Sequence, residues 1–596
     1  MRGMQAGLLA ILMLAGGGVP CQAVTLTFIY YNDLHAHLTP HLDIVRDAQG
    51  HTSVEYKGGI AKLATLVKQI RADTPHSVMM NIGDTYHGGA EAMFTNGNAI
   101  VAPVNALGID VGVPGNWDFA YGPAVTRLRY AELNAVEKGA LGLVGDVMMG
   151  SGDIARPNFP NLAANVTFSK PIWKKGYAFL PPTLMKTIGG VKVGFIGITS
   201  DIVPEMHSLL ATGLNFLVGE PAYVELVERH AHLLREQGAQ LVVVMSELGI
   251  HKDWQLANKI GSGLIDVFFS AHTHELTWQP LVGKSGARVV EAGNDGWLGR
   301  MDVEVPERGK PQFKWQVIAI DSKVADDPAM AKLVAEARAP FLKPDPNLSV
   351  PLPGIELTLH QPLNQVVGKI DGLLHRREAL ESPFNAAWGE ALRQYAQTDI
   401  SLSPGFRFDA VLAGGKGYED AAVARGSVTV EDIYRLFPTP YTLATGKVDG
   451  ARLKTLIENN LSAVFAQDAF ATHGGWVDAL GGLDVTLNLM APDGQRISAL
   501  KLADGKLVHA DSMLSVAGCT RPKDDPDVMC SYSGFADVQP LINPATKAPY
   551  YVQELFARLV AEGRIKALPD AHLHDTSGQP QWPRSPWVQP VWGTKQ

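Results

Sequence analysis

The sequence predicts an α/β fold in which polar side chains gather at the carboxyl ends of buried parallel strands. Two observations support this prediction. Five short apolar runs have the length and continuity of strands that are buried on both faces. Each run is followed closely by one or two residues whose side chains can bind a metal ion. The runs are Thr25–Tyr31, Val78–Ile82, Val111–Pro114, Leu241–Met245 and Leu264–Phe269.

The residues after these runs form a set of oxygen and nitrogen donors. Ligands bind outside the carboxyl ends of strands in open α/β sheets, so we expect the donors to meet at one edge of one sheet. A single divalent ion that keeps a position for water or substrate seldom takes more than about four protein ligands. The donor set therefore indicates two ions, and Asp84 is the candidate shared ligand. The set lacks thiolate, which favours Mn, Fe or Zn, and consists of Asp33, His35, Asp84, Asn116, Glu247, His272 and His274.

Motifs around these donors carry a family resemblance. They are Asn32-Asp33-Leu34-His35, Gly83-Asp84, Gly115–Gly122, His272-Thr273-His274 and Gly293–Arg300. Together they resemble the calcineurin-like metallophosphoesterase domain of periplasmic 5′-nucleotidases. The resemblance implies a four-layer metallophosphoesterase β-sandwich flanked by helices, followed by a C-terminal α+β domain of the 5′-nucleotidase type. It also implies a first metal site of Asp33, His35, Asp84 and His274, and a second site of Asp84, Asn116, position 247 and His272.

One departure from the family pattern is Glu247. The family has Ser-His at this strand end, so a carboxylate here replaces an imidazole. A carboxylate makes the second site harder and more anionic, which favours Mn or Fe. Two alternatives stay open. Glu247 points away and leaves the second site weak, or His251 takes its place if that segment is already helical.

Another departure is Trp117. Phosphatases of the family have a His here, between an Asn and an acidic residue, as proton donor or transition-state stabiliser. An indole offers only a neutral N–H donor, and removal of a general acid typically costs about 10²–10⁴ in rate. Trp followed by Asp118 and Phe-x-Tyr-Gly resembles the SoxB branch, whose members are dimanganese thiosulfohydrolases. We therefore expect Trp117 and Asp118 to be the catalytic residues, with Asp118 orienting a metal ligand or the indole.

Two further histidines lie close to the predicted ligands. His87 follows Asp84 and could replace the missing acid, but we expect a partly solvated loop residue. His37 follows His35 and is expected to support the ligands or to face solvent.

The C-terminal half contributes the predicted substrate-binding residues. Ser403-Pro404-Gly405-Phe406-Arg407 resembles a SoxB segment, and the resemblance makes Arg407 an anion-binding residue. A guanidinium group suits sulfonate and phosphate equally well. Phe406 and Trp476 are the other substrate-binding candidates. Nucleotidases clamp the base between two aromatic rings in this domain, and since Trp476 is the one aromatic found here, we expect that clamp to be absent.

The resemblance implies a hydrolase with two divalent metal ions, Mn in first place and Fe or Zn as alternatives. The preferred substrate is a thiosulfonate bound to a cysteine of a SoxYZ-type sulfur carrier, from which sulfate is released. One alternative is a 5′-nucleotidase or related phosphoesterase that acts on small anionic esters. Another is a catalytically silent binding paralogue. The chain differs from SoxB itself, which has His where this chain has Asn116 and Glu247.

Prolines divide the chain. Five prolines between residues 339 and 353 interrupt the helical pattern of Pro328–Arg338. We predict a signal peptide at 1–23, the metallophosphoesterase domain at 24–338, a Pro-rich linker at 339–363, the 5′-nucleotidase-type domain at 364–569 and an extended tail at 570–596. In the C-terminal domain, Thr429 and Asp432 are spaced as a helix N-cap box.

The N-terminus predicts export to the periplasm. Arg2 precedes an apolar stretch from Ala6 to Val19 with small residues after it, as in a secretory signal peptide. No other segment approaches about 20 unbroken apolar residues, so we expect no membrane span. The formal net charge of −9 leaves no basic stripe for a nucleic acid polymer. In an oxidising compartment Cys519 and Cys530 are expected to form a disulfide.

Overall fold

A computed structural model describes residues 23–46, 52–133, 153–169, 175–404, 410–414, 426–522, 524–568 and 570–578. Residues 1–22 of the predicted signal peptide lie outside this set, as do Phe406, Arg407 and the end of the tail. Among the described helices, none combines the length and the apolar character needed to cross a membrane.

Two β-sheets form the centre of the N-terminal half. Its strands, in chain order, are β1 (Val24–Asn32), β2 (His41–Arg46), β3 (Thr52–Lys57), β4 (Ser77–Ile82), β5 (Val111–Val113), β6 (Val166–Phe168), β7 (Thr183–Ile188), β8 (Val191–Ile198), β9 (Leu214–Phe216), β10 (Leu241–Ser246), β11 (Val267–Ser270), β12 (Leu281–Val282), β13 (Arg288–Glu291), β14 (Trp297–Val305) and β15 (Gln312–Ala319). One sheet has the order β15-β14-β1-β4-β5, and the other has the order β12-β13-β11-β10-β8-β7.

The strands that precede the predicted ligands run parallel, as expected. β1 pairs with β4 and β4 with β5 in the first sheet, whereas β10 pairs with β11 in the second. The five apolar runs are therefore confirmed as strands. The expectation of one sheet is wrong, because the strands belong to two sheets that face each other. A strand buried on both faces has the same apolar sequence in a sandwich as in a single sheet, so the pattern could not separate the two arrangements.

Helices cover the outer faces of both sheets. In chain order they are α1 (Ile60–Asp73), α2 (Ala90–Met93), α3 (Asn98–Asn105), α4 (Pro123–Tyr130), α5 (Val203–Met206), α6 (Glu220–Glu236), α7 (Ile250–Lys259) and α8 (Pro328–Arg338), with a 3₁₀ turn at Trp117–Phe119. The predicted helix before the linker is α8, and Asp327 caps it by accepting a hydrogen bond from the Met330 amide.

Alternation along β1 shows how the layers pack. Phe28 and Tyr30 point between the sheets, where Phe28 lies 6.3 Å from Phe195 and 5.5 Å from Phe269, measured between ring centroids. Ile29 and Tyr31 point the other way, into the helical layer over the first sheet. Helices α6 and α7 bury the outer face of the second sheet. The four-layer α/β/β/α sandwich is thus confirmed, with the strand ends held by a continuous core.

The segment 339–363 is packed rather than extended in solvent. It contains a 3₁₀ turn (Ala339–Leu342) and the short strands β16 (Leu348–Ser349) and β17 (Thr358–Leu359). Its buried Phe341 and Leu363 share one apolar cluster with Met93 of the first domain and Tyr434 of the second. The proline-rich segment therefore forms part of the junction between the two halves.

The C-terminal half is an α+β unit. Its strands are β18 (Val366–Lys369), β19 (Gly372–Leu374), β20 (Ile400–Ser403), β21 (Leu412–Gly414), β22 (Ser427–Thr429), β23 (Thr442–Asp449), β24 (Ala479–Gly481), β25 (Leu483–Leu487), β26 (Ile497–Leu502), β27 (Met513–Thr520), β28 (Ala536–Pro540) and β29 (Leu573–Asp575). Its helices are α9 (Pro383–Ala396), α10 (Val430–Leu436), α11 (Gly450–Phe465) and α12 (Val552–Ala561), with a 3₁₀ turn at Ala469–Ala471. The main sheet has the order β24-β20-β27-β23-β28.

Local signals in this half hold where the structure describes them. Thr429 and Asp432 form the predicted capping box of α10. The described start of the tail is extended, since β29 pairs with β25. Cys519 and Cys530 are both buried, and the structure has them as free cysteines, so it does not confirm the predicted disulfide. The Cys519 amide lies 2.8 Å from Cys530 Sγ, so the two cysteines are neighbours, and the disulfide stays a prediction.

Charged side chains join the two halves beside the linker. Arg338 donates to Glu91 of the first domain at 2.7 Å and to Glu431 of the second at 2.5 Å. Arg435 donates to the other oxygen of Glu431 at 2.7 Å. Because Glu431 lies between two guanidinium groups and is mostly buried, this network ties the first domain to α10.

Candidate metal centre

The backbone bends sharply at the predicted ligands. Five of them have positive φ angles: Asp33 (51°), His35 (47°), Asp84 (44°), His272 (79°) and His274 (54°). Residues other than glycine rarely adopt this left-handed conformation, and such strain concentrates at functional sites. These five residues follow β1, β4 and β11.

One cluster of ligand atoms forms at the ends of β1 and β11. The Nε2 atoms of His35 and His274 lie 3.0 Å apart. Asp33 Oδ1 lies 3.1 Å from His274 Nε2 and 3.7 Å from His35 Nε2, and Asp84 Oδ2 lies 3.8 Å from His35 Nε2. Four ligand atoms therefore surround one small volume, and the group of Asp33, His35 and His274 has the spacing of a metal site.

A second cluster shares Asp84. Asp84, Glu247 and His272 bring one ligand atom each within 4.8 Å of one another. His272 Nδ1 lies 3.5 Å from Glu247 Oε2 and 2.9 Å from Asn116 Oδ1. The structure thus brings all seven predicted donors together at two adjacent positions, with the Asp84 carboxylate between them.

The chemistry of the donor set fits two divalent cations. Neither oxygen of Glu247, which is fully buried, has a hydrogen-bond partner among the described residues. Asp33 Oδ1 lacks one as well, although the other oxygen of Asp33 accepts from Asn32 Nδ2 at 2.7 Å and from the His272 amide at 3.0 Å. Buried carboxylate oxygens that accept no hydrogen bond call for a positive charge. Two divalent ions at the two clusters would supply it.

Burial and like charges act together on Glu247. Desolvation, followed by the charges of Asp84 and Asp33, raises the pKa of Glu247 well above its ordinary value. Burial beside two other carboxylates therefore disfavours the ionised form of Glu247. A divalent ion reverses the balance, because its charge favours the ionised carboxylate that binds it.

Glycines make room for the ligands. A Cβ at Gly83 would lie 1.8 Å from Glu247 Oε1, and a Cβ at Gly115 would lie 2.3 Å from Asp84 Oδ1. Gly83 also has a φ of 67°, which suits the turn into Asp84. The glycines of the Gly83-Asp84 and Gly115-Asn116 motifs are therefore required by close approach of the two metal-site carboxylates.

Asp118 positions the loops that carry two ligands. Its Oδ1 accepts from the amides of Thr85 and Tyr86 at 3.1 and 2.9 Å, and its Oδ2 accepts from the Gly115 amide at 2.9 Å. These bonds hold the turn after Asp84 against the turn that precedes Asn116. The contacts fit the orienting role expected of Asp118.

Asp253 links the ends of β10 and β11 through hydrogen bonds. It accepts from Ser246 at the end of β10 and from Ser270 at the end of β11. Burial raises the pKa of Asp253 to about 7. Since Glu247 and His272 follow these two strands, Asp253 fixes their separation, and the sequence analysis did not detect it.

Trp117 lies at the edge of the second cluster. Its amide donates to Asp84 Oδ1 at 2.7 Å, while its half-buried ring stacks on His87 at a centroid distance of 4.8 Å and an angle of 20°. His87 is only 4% exposed, so the expectation of a partly solvated loop histidine is wrong.

A cavity of about 300 Å³ opens beside Trp117, between the two halves of the chain. Most of the described residues that line it are apolar, including Met206, Leu210, Leu352 and Tyr441. The guanidinium group of Arg521 also lines the cavity. Arg521 donates to Tyr441 Oη at 3.0 Å, and its guanidinium lies 4.9 Å from the centre of the Tyr441 ring. Arg521 was missed because no motif marks it.

Other predicted residues lie elsewhere. Trp476 is half-buried and is not among the described residues that line this cavity, and Phe406 and Arg407 lie outside the described residues. His251 is on α7, as the alternative for Glu247 required, but its Nε2 lies 2.6 Å from Thr472 Oγ1. Glu247, and not His251, shares a cluster with Asp84 and His272. The geometry therefore favours Glu247 as the ligand.

Comparisons with known proteins follow the same division of the chain. The model of the calcineurin-like phosphoesterase family matches residues 26–276, and that of the 5′-nucleotidase C-terminal domain matches residues 366–518. A snake venom 5′-nucleotidase from Gloydius brevicauda is 22% identical over 516 residues, which covers 83% of this chain and 80% of that protein.

Two solved structures from Thermus thermophilus have the same fold. The sulfate thiohydrolase SoxB, in complex with glycerol, superimposes with a TM-score of 0.70 at 19% identity, covering 92% of this chain and 96% of that one. A 5′-nucleotidase precursor superimposes with a TM-score of 0.68 at 19% identity, covering 92% and 99%. The chain therefore joins a calcineurin-like phosphoesterase domain to a 5′-nucleotidase C-terminal domain and is a divergent metal-dependent hydrolase of the 5′-nucleotidase and phosphoesterase type.

Proposed function

We propose that the protein is a periplasmic dimanganese hydrolase that releases sulfate from a thiosulfonate on a cysteine of a SoxYZ-type sulfur carrier. The observation that carries the proposal is Trp117. Its backbone is bound to the shared ligand Asp84 and its ring lines the cavity, at the position where phosphatases of this type have a proton-donating histidine. Because an indole cannot protonate a leaving group, the site suits a substrate whose leaving group needs no proton.

The thiosulfonate meets this requirement. Water adds to the sulfonate sulfur, the bond to the sulfane sulfur breaks, and the sulfane sulfur keeps the electron pair as a persulfide anion on the carrier cysteine. Sulfate leaves, and two protons pass to solvent. Bound divalent ions supply charge stabilisation for the tetrahedral oxyanion and lower the pKa of water. An alkoxide leaving group of a nucleotide, in contrast, needs a proton donor.

His207 does not replace the missing acid. It lines the same cavity, but burial and the nearby Arg521 lower its pKa. Its Nδ1 also accepts a hydrogen bond from the Leu209 amide at 3.1 Å. His207 is therefore neutral at pH 7 and a poor acid.

The lining of the cavity suits a substrate that has an anionic group at the end of an apolar segment. Among the described residues, the lining combines the guanidinium group of Arg521 with mostly apolar side chains. Arg407, Phe406 and Trp476 remain substrate-binding residues on the family resemblance alone, whereas Arg521 lines the cavity and is proposed as a second anion-binding group. A short carrier segment that ends in a sulfonate has this combination of an apolar stem and a charged tip.

One observation favours a 5′-nucleotidase as the second candidate. Two aromatic rings, those of Trp117 and Tyr441, line the cavity from opposite domains, and a purine could stack on either. The snake venom relative is a 5′-nucleotidase. A silent binding paralogue stays as a third candidate, and it is distinguished by binding fewer than two metal ions.

The direct test uses Mn-loaded mature protein, a carrier protein thiosulfonated on its cysteine, and intact-mass spectrometry. We expect the carrier to lose the mass of the sulfonate while sulfate appears in solution. Adenosine monophosphate under the same conditions is the comparison. A carrier of unchanged mass, together with phosphate release from the nucleotide, would overturn the thiosulfohydrolase proposal in favour of the second candidate.

A variant pair tests the role of Trp117. Trp117→His restores an imidazole and should raise hydrolysis of the nucleotide by at least about 10²-fold, with little change for the thiosulfonate. Trp117→Phe removes the indole N–H without adding an acid and serves as the matched control. If both variants gain nucleotide hydrolysis equally, proton donation is not what Trp117 lacks.

A further inference from the structure

A third cluster of metal-ligating side chains lies apart from the two-metal centre. His37, His41 and Asp295 bring one ligand atom each within 4.8 Å of one another, and all three residues are buried. His37 follows β1, His41 begins β2, and Asp295 precedes β14. None of the three belongs to the seven donors described above, and His37 had been expected to support those donors or to face solvent.

We propose that His37, His41 and Asp295 bind a third divalent cation, of the zinc class, which fixes the loop that carries Asp33 and His35. The proposal does not depend on the proposed function, because none of His37, His41 and Asp295 is among the described residues that line the substrate cavity.

The spacing of the ligand atoms fits a tetrahedral ion. His41 Nε2 lies 3.1 and 3.0 Å from the two oxygens of Asp295, and His37 Nδ1 lies 3.4 Å from Asp295 Oδ1. Ligands about 2.0–2.1 Å from a tetrahedral ion are about 3.3 Å from each other. The corresponding distances between His35, His274 and Asp33 in the main centre are 3.0, 3.1 and 3.7 Å. The two histidines of the third cluster therefore approach their carboxylate as closely as those of the first cluster approach Asp33.

The tautomer of His41 supports coordination. Its Nδ1 lies 2.9 Å from the carbonyl oxygen of Leu42, which places the ring proton on that nitrogen. Nε2 can then direct its lone pair toward an ion beside Asp295. Histidines that bind metals commonly donate the other ring N–H to a carbonyl in this manner.

The surroundings of Asp295 are enclosed. A Cβ at Gly58 would lie 2.4 Å from Asp295 Oδ2, so a glycine backbone closes the site on this side. In the described part of the chain no lysine or arginine lies within 4 Å of the Asp295 carboxylate. A buried carboxylate needs a positive charge, and here it comes from a metal ion or from a protonated imidazole.

Three donors and complete burial suit a structural ion. Two imidazoles and one carboxylate are ligands that Zn²⁺ accepts, and they leave a fourth position for one water molecule. The ion would join the short segment that carries His37 and His41 to Asp295, which lies more than 250 residues further along the chain. Since Asn32, just before Asp33, donates to the Gly293 carbonyl at 2.7 Å, the same loops also support the main centre.

Zinc stoichiometry tests the proposal on the mature full-length protein, produced with excess zinc and desalted. We expect three equivalents by elemental mass spectrometry and two in His41→Gln. His360→Gln is the matched control, because His360 and Asp345 form an exposed pair at 3.5 Å; it should retain three. Equal zinc contents of wild type and His41→Gln would overturn the third site and leave a protonated imidazole as the partner of Asp295.

A second variant keeps the test decisive if His41→Gln does not fold. Asp84→Ala removes the ligand shared by the main centre and should retain one zinc equivalent. Replacing that zinc by cobalt should produce the strong visible absorption of tetrahedral Co²⁺. Complete loss of zinc from folded Asp84→Ala would overturn the proposal, because His37, His41 and Asp295 are unchanged in that variant.

Discussion

Gly83 offers the sharpest test of Glu247 as a metal ligand. In Gly83→Ala the new Cβ would lie 1.8 Å from Oε1 and 2.3 Å from Cδ of Glu247. Two carbon atoms in contact are about 3.5 Å apart, so the Glu247 carboxylate has to move by more than about 1 Å. The φ of 67° adds backbone strain of about 1–2 kcal/mol for a residue with a Cβ.

A displacement of this size removes the ligand. Metal–ligand distances are held within about 0.2 Å, so the second site would lose its carboxylate. Changes in the groups that merely support a ligand already cost about 10–100-fold in affinity. We expect at least about 100-fold weaker Mn binding at the second site, and one equivalent instead of two after desalting. Isothermal titration calorimetry with Mn²⁺ measures both values.

Gly190→Ala is the matched control. Gly190 has a φ of 85°, and a Cβ there would meet nothing within 4 Å. This variant takes on similar backbone strain but should keep both Mn equivalents at wild-type affinity. If Gly83→Ala also binds two Mn ions as tightly as wild type, Glu247 is not a ligand of the second site, and the reasoning from its buried oxygens is refuted.

Three further perturbations test the electrostatics. Burial acts to raise the pKa of Glu431, but Arg435 and Arg338 lower it to about 2. Because this pKa is below the ordinary value of 4.5, the ionised carboxylate stabilises the folded protein above pH 4.5. That stabilisation is lost as the pH falls toward 2. Urea unfolding should therefore show Glu431→Gln less stable than wild type by up to about 3 kcal/mol at pH 7, with the difference shrinking below pH 4.5. Burial raises the pKa of Asp253 from 3.8 to about 7. Ionisation of Asp253 therefore destabilises the folded protein, and this cost grows as the pH rises from about 4 to 7. In the same assay the stability of Asp253→Asn relative to wild type should increase between pH 5 and 8, and a constant difference would contradict this. Asp84→Ala should lose both ions of the main centre, and two retained Mn equivalents would contradict a shared ligand.

The strands and their terminal donors could be predicted from the sequence because both are local properties. An apolar run such as Val78–Ile82 is buried wherever it pairs, and Asp84 follows it in any fold. The Thr429 capping box is local in the same sense. The apolar runs alone could not place the ligands in two facing sheets, and only the family resemblance implied a sandwich, because the arrangement of the sheets depends on which strands pair.

Functional candidates that belong to no sequence motif became visible only in the tertiary structure. Arg521 lines the cavity because the main sheet of the second domain places the end of β27 near Met206 of the first. His41 meets Asp295 over more than 250 residues of chain. Neither residue has a neighbour in sequence that indicates its role.

The sequence by itself determined that this protein has buried parallel strands ending in metal-binding side chains, and that an indole occupies the position of a proton donor. The tertiary structure decided that the donors converge as two clusters around Asp84, that Glu247 and not His251 joins the second, and that a cavity with Arg521 lies beside Trp117. The physical reason is the distance along the chain over which each property is determined. Burial patterns and side-chain chemistry act within a few residues, whereas distances between ligands depend on the packing of strands that are remote in the chain.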